Sequence, residues 1–234
     1  MTLHLIKMAF YTTFLTNYFG YKLKKNQKSE NQKELRIEYS LKILEKFGLE
    51  VKVINPDKIP KSGQLLLASN HRSVIDPLII EIALQNSELF GHWISKKELY
   101  NSLFFGLFVR NAGTILLDRK KSQMSSFFAE IKAAVTKGDS IFIFPEGTRN
   151  KSQSQLCDFK EGARLISVKN RLDILPLYIK TNADKVLTES LKNTKQKRVI
   201  EVEIGDIISY KMREKSLEEI YREQFQIPFK KENR

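Results

Sequence analysis

The sequence predicts an α/β fold, a single domain built on a mixed sheet flanked by helices. Short apolar, β-branched runs recur along the 234 residues and alternate with stretches of helical spacing. Most runs are closed by Gly, Pro, Asn or Asp, which end strands and open helices. A hydrophobic content of 41% over this length suffices for one sizeable core, whereas two full domains would be cramped.

The elements follow in order. Residues 34–47 place Ile37, Leu41 and Leu44 on one helical face and stop at Gly48, a glycine C-cap. Residues 49–54 alternate as a strand, and residues 55–63, with two prolines, form a linker. Residues 64–68 read as a short buried strand. Asp76-Pro77 then reads as helix N-cap and first helical residue before Leu78, Ile79 and Ile80. Further on, strands are expected at 90–95, 113–117, 140–144, 173–180 and 198–208, and helices at 97–109, 122–137 and 159–169. Gly138 ends the second of those helices. Residues 216–226 look helical, and 230–234 are expected to fray. The resulting organisation is an N-terminal helical segment at 1–48, the α/β domain at 49–210 and a helical tail at 211–234. There is no internal repeat.

The N-terminal segment carries a further signal. Met8 to Tyr21 is uncharged but only 14 residues long, short of the about 20 that a spanning helix needs. Leu3, Ile6, Phe10 and Phe14 recur at helical spacing, and Lys22, Lys24, Lys25, Lys28 and Lys33 follow. An apolar stripe followed by a basic cluster suits an amphipathic helix docked on an anionic membrane surface. The competing reading packs the stripe on the protein's own core. No small-residue cleavage site follows a signal-like run, and the single cysteine, Cys157, excludes an intrachain disulfide framework and suits a reducing setting.

A net charge of +13 admits nucleic-acid binding. Against it, no nucleic-acid motif accompanies the charge, and the aromatics sit in apolar runs without interleaved Lys and Arg. No nucleic-acid partner is expected. Histidine occurs only at positions 4, 71 and 92, so no zinc-binding spacing exists and no metal is expected. Ser73 lies outside a Gly-x-Ser-x-Gly elbow and reads as a loop hydroxyl. His92 and Trp93, in a strand-like run, read as structural.

Two blocks carry chemistry. In Asn70-His71-Arg72-Ser73-Val74-Ile75-Asp76, four residues separate an imidazole from a carboxylate. A histidine can take the proton of an attacking hydroxyl near neutral pH, and a carboxylate on its other nitrogen fixes the tautomer and stabilises the charge that develops. The alternative is a loop histidine beside a capping Asp. In Phe144-Pro145-Glu146-Gly147-Thr148-Arg149, a turn breaks an apolar strand at the position where open α/β sheets deliver ligand-binding loops. Arg149 offers a planar fork for a phosphate, and Gly147 lets backbone amides approach one. Glu146 orients Arg149, accepts a substrate hydroxyl, or is a solvent-facing turn carboxylate. Together the blocks point to acyl transfer onto a phosphate-bearing alcohol.

These residues resemble the glycerolipid acyltransferase family, which includes bacterial 1-acyl-sn-glycerol-3-phosphate acyltransferases. Asn70-His71 with Asp76 matches the family's first motif, and Gly113 to Arg119 its second, whose arginine is a proposed phosphate ligand. Phe144 to Arg149 matches the third, and Ile174-Leu175-Pro176-Leu177 the fourth, an apolar strand with a proline near the acyl site. The stretch around Lys160 (Phe159-Lys160-Glu161-Gly162-Ala163) resembles a family segment between the last two. Four elements in order over residues 64–180 make a specific signal. Departures are Arg72, which adds a cation beside the base, Leu116-Leu117 and Asn150; none removes a group proposed to act.

The resemblance implies transfer of a fatty acyl group from a thioester donor, acyl-carrier protein or coenzyme A, to lysophosphatidic acid, giving phosphatidic acid. It implies His71 as base, Asp76 as its support, Arg119 and Arg149 on the phosphate, and Glu146, Gly147, Thr148 and Lys160 around that pocket. No cofactor beyond the thioester co-substrate is implied. The expected location is the cytoplasmic face of the inner membrane, peripheral or monotopic. The motifs report reaction type better than head group, so another lysolipid is the alternative acceptor. A basic, non-enzymatic membrane-binding protein is the alternative of a different class.

Overall fold

The computed structural model describes residues 3–118 and 124–229. Its sheet has seven strands: β1 (Leu49–Ile54), β2 (Leu66–Ser69), β3 (Gly91–Lys96), β4 (Ile115–Leu117), β5 (Ser140–Ile143), β6 (Ile174–Ile179) and β7 (Arg198–Ile204). They lie in the order β1-β7-β6-β2-β5-β3-β4, parallel throughout except for the antiparallel β6–β7 pair, so the sheet is mixed. The helices are α1 (Leu3–Lys25), α2 (Ser29–Lys46), α3 (Asp76–Ala83), α4 (Gly106–Asn111), α5 (Met124–Thr136), α6 (Gly162–Asn170), α7 (Ala183–Lys192) and α8 (Leu217–Gln224).

Strand periodicity sorts the core into two layers. On β2, Leu67 joins Phe142, Leu175 and the buried faces of α1, α2 and α3, while Leu66 and Ala68 join Ile141, Ile174 and the buried faces of α5 and α6. Successive strand side chains point to opposite faces, so a two-sided parallel sheet needs continuous apolar runs like these. The connection from β2 to β3 passes β5, and that from β5 to β6 passes β2 back the other way. The strand order therefore reverses around β2, and ligands of open α/β sheets bind beyond the carboxyl ends of strands at such a point.

Helix α1 is two-sided. Leu15, Phe19 and Leu23 are buried in the same core cluster as the sheet, whereas Phe10 is 75% and Phe14 70% exposed. Core packing and an outward apolar face thus coexist on one helix, and the expected stripe at Phe10 and Phe14 is the outward one. The side chain of Leu3 lies outside the described residues. No helix among the described residues is long and apolar enough to cross a membrane.

Several boundaries differ from expectation. The run at 97–109 is not one helix: a 3-10 turn, Lys97–Asn101, gives way to α4. The Ser102 hydroxyl accepts from the N–H groups of Phe104 and Phe105, and this side-chain competition for backbone donors breaks the run. Helix α7 was not expected. Its signal was Asn182, whose side chain accepts from Lys185 N at 3.1 Å as an N-cap, followed by apolar residues at Val186, Leu187 and Leu191. The expected strand to residue 208 stops at Ile204, leaving an isolated bridge from Ile208 to Ile174. The expectation for 230–234 lies outside the described residues.

Candidate active site

The site is built where β2 and β5 end. After Ser69 the chain leaves the sheet, and Asn70 anchors it. Its side-chain amide donates to the Ile179 carbonyl at 3.1 Å and accepts from Ile179 N at 2.8 Å, imitating one more strand pairing with the end of β6. Tyr221 of α8 braces the same residue from behind. Its hydroxyl accepts from Asn70 N at 3.2 Å and donates to the Leu177 carbonyl at 2.5 Å. Burial pushes that phenol well above its ordinary pKa, so it stays a donor.

His71 follows, with Nδ1 2.8 Å from Asp76 Oδ2. The same carboxylate oxygen accepts from Arg72 N at 2.6 Å and Ser73 N at 2.7 Å, which curls the loop so that positions 71 and 76 meet. Asp76 is wholly buried and is the first residue of α3; the N-cap is Ile75. The expected cap role thus gives way to a clamp on the loop's amides and the imidazole. With Nδ1 turned to Asp76, Nε2 is the nitrogen left to take a proton from a substrate. The Arg72 guanidinium donates to the carbonyls of Ser152 and Ser154.

Glu146 corrects an expectation. It is 1% exposed, not a solvent-facing turn carboxylate, and both oxygens serve backbone amides: Oε1 accepts from His71 N at 2.6 Å and Oε2 from Cys157 N at 2.8 Å. The geometry gives it a positioning part on the loop that carries His71. Burial pushes its carboxyl above the usual range, against the opposing pull of the His71 and Cys157 backbone amides.

Gly147 turns the chain at φ +68°, a conformation L side chains rarely adopt, and its N–H returns to Phe144 O at 2.9 Å. Thr148 and Arg149 follow, both exposed. Asn150 N donates to the His71 carbonyl at 2.6 Å, which fixes Arg149 one residue from a backbone contact with the base. Lys160 is exposed, and its N–H donates to Pro145 O at 2.8 Å, so the stretch around it lies against the same turn. Pro176 is buried within the sheet opposite Ala68; the β6–β7 ladder starts one residue later, at Leu177, so its missing N–H costs no pairing there. Arg119 lies outside the described residues.

Aromatic and charged side chains back the imidazole. Phe144 stacks on the His71 ring, with centroids 4.0 Å apart and planes 9° apart. Trp93 stacks on Phe144 in turn at 4.9 Å and 25°. The Trp93 indole N–H donates to Glu81 Oε1 at 2.7 Å, and Arg36 Nε donates to the same oxygen at 3.0 Å. Trp93, expected to be structural, is so. His92, the neighbour of Trp93 on β3 and so on the other face of the sheet, also proves a tie, between Gly113 O at 2.5 Å and Asp139 Oδ2 at 2.9 Å. Asn70, Phe144 and Tyr221 were not singled out as site residues. A polar Asn between an apolar strand and His71 was a usable signal for the first; nothing local marked Tyr221.

A family model described as acyltransferase matches residues 50–180, more than half of the chain. The chain belongs to the acyltransferase family. Among the family's sequence relatives, the 1-acyl-sn-glycerol-3-phosphate acyltransferase of Helicobacter pylori (strain J99) is 35% identical over 129 residues, covering 54% of this chain and 53% of that protein. The 1-acyl-sn-glycerol-3-phosphate acyltransferase alpha of Ovis aries is 34% identical over 160 residues, covering 66% of this chain and 53% of that one. The chain spans about half the length of the curated relatives it matches. In fold it is similar to the crystal structure of the 1-acyl-sn-glycerophosphate (LPA) acyltransferase PlsC from Thermotoga maritima, with a TM-score of 0.63 and 22% identity over 96% of this chain and 90% of that one.

Proposed function

We propose that this chain transfers a fatty acyl group from an acyl thioester to 1-acylglycerol-3-phosphate, forming phosphatidic acid. The observation that carries the proposal is the 2.8 Å His71–Asp76 pair joined through backbone contacts to the loop that bears Arg149. The names of the relatives support the acceptor. His71 Nε2 takes the proton of the acceptor hydroxyl as its oxygen bonds to the thioester carbonyl. The C–S bond then breaks, and the leaving thiolate takes that proton from the imidazolium. No acyl-enzyme is needed, and Asp76 stays ionised throughout. Arg149, with Arg119, holds the acceptor phosphate, Gly147 and Thr148 shape the pocket, and Pro176 lies towards the acyl chain. The donor is an acyl-carrier protein or coenzyme A thioester.

An acceptor panel tests the reading. Arg149→Lys keeps the charge but loses the planar fork, so the apparent KM is expected to rise more for the phosphate acceptor than for the thioester donor. Equal effects on both substrates would make Arg149 structural, and a wild-type preference for a lysolipid without a phosphomonoester would reassign the acceptor.

The chain docks on the membrane that supplies its acceptor, peripheral or monotopic, at the cytoplasmic face of the inner membrane. Support comes from the outward face of α1, where exposed Phe10 and Phe14 precede exposed Lys24 and Lys25, with exposed Lys28 just beyond the helix. Lys22 contributes less, being paired with Glu38 at 3.1 Å. Leu103, 89% exposed, and Phe104 precede α4, which packs on α1 near Gly20. Because α1 also fills the core, the informative variant replaces only its outer face. Binding to vesicles is expected to rise with anionic lipid, fall with salt, and fall further in a Phe10→Ser, Phe14→Ser double variant. Undiminished binding by that variant would move the contact elsewhere.

A further inference from the structure

We propose that Phe144 stabilises the His71 imidazolium formed during acyl transfer, through its π face. The inference rests on the proposed role of His71 as base.

The geometry sets a π face against the base. Neutral aromatic pairs favour offset or edge-on arrangements with centroids about 4.5–7 Å apart, because facing π clouds repel. Phe144 and His71 lie nearly parallel, with centroids 4.0 Å and planes 9° apart, so the π face of Phe144 covers the imidazole. A cation over the face of a ring, within about 6 Å of its centroid, is attracted to it. The neutral ring packs there too, and the imidazolium gains the attraction to the π face in addition.

The partners of Phe144 keep it in place. Trp93 lies against it at 4.9 Å, and the Trp93 indole is fixed by its hydrogen bond to Glu81, itself held by Arg36. Phe144 also begins the turn that Gly147 closes back onto its carbonyl. On the imidazole, Asp76 and Phe144 act on different parts of the ring. Asp76 meets Nδ1 in the ring plane and Phe144 meets the ring face, which leaves Nε2 for the substrate. Both act on the charge that the ring gains as it takes the acceptor proton, so both lower the barrier to proton transfer instead of merely strengthening binding.

The test replaces Phe144 in the full chain with phenylalanine carrying one, two or three ring fluorines. Fluorine withdraws the electrons of the π face while nearly preserving the shape, so a packing role would be blind to it. The expected result is a stepwise fall in kcat totalling roughly 2- to 30-fold, with both KM values and the thermal midpoint unchanged. Phe144→Tyr, which keeps an electron-rich face, is expected to retain more turnover than Phe144→Leu. Active wild type that depends on His71, with kcat indifferent to fluorination, would overturn this inference alone. Wild type without acyl transfer, or His71→Ala with turnover intact, would remove the base itself and overturn both readings.

Discussion

A His71→Ala chain is expected to lose acyl transfer beyond detection, and Asp76→Asn to keep a small residual rate. General-base catalysis contributes about 10²–10⁴-fold, and alanine leaves no group at the Nε2 position. The Asp76 substitution acts differently. An amide can still accept from the amides of Arg72 and Ser73 or from the imidazole, but it carries no charge to oppose the imidazolium, and a wrong amide orientation turns a donor towards them. The loss therefore falls on kcat, with the KM values for both substrates close to wild type. Steady-state kinetics with purified variants checks this. Near-normal turnover in His71→Ala would end the mechanism.

Glu81→Ala is expected to destabilise the fold by about 3–5 kcal/mol, the cost of leaving one partner of a buried ion pair alone. The Arg36 and Glu81 side chains are almost entirely buried, and Arg36 also donates to Gly91 O at 2.8 Å. Removing Glu81 strands the guanidinium and orphans the Trp93 N–H at once. Urea unfolding gives the number. An Arg36→Met, Glu81→Leu double variant should recover much of the loss, since a buried pair exchanged for apolar packing is often near neutral. A loss below about 1 kcal/mol for the single variant would mean that water reaches the pair.

Where a residue's part is local, the sequence was legible. Strand β1 was read to its last residue, Gly48 ends α2 at φ +65° as its position implied, and the His71 to Asp76 spacing foretold a contact that the loop amides enforce. Distant partners were not legible. Glu146 looks like a turn carboxylate because its partners, the amides of His71 and Cys157, lie 75 and 11 residues away. Ser102 divides the run at 97–109 through hydroxyl contacts that apolar spacing does not encode. The two-sided character of α1 was half visible. Phe10 and Phe14 suggested an interface, but only packing reveals that Leu15, Phe19 and Leu23 go the other way.

The brace on Asn70 ties the site to the order in which the chain is made. Asn70 and Tyr221 stand 151 residues apart, and all four motifs precede the helix that carries the tyrosine. A ribosome has exposed every reacting group well before it releases α8, and domains gain structure as synthesis proceeds from the N-terminal end. Until α8 arrives, the Asn70 amide lacks one acceptor, and closing that long loop is among the costlier entropic steps of folding. The nascent protein thus presents all four motifs before the helix that braces them, and α8 adds its contact to a histidine loop already tied to Ile179, Asp76 and Glu146.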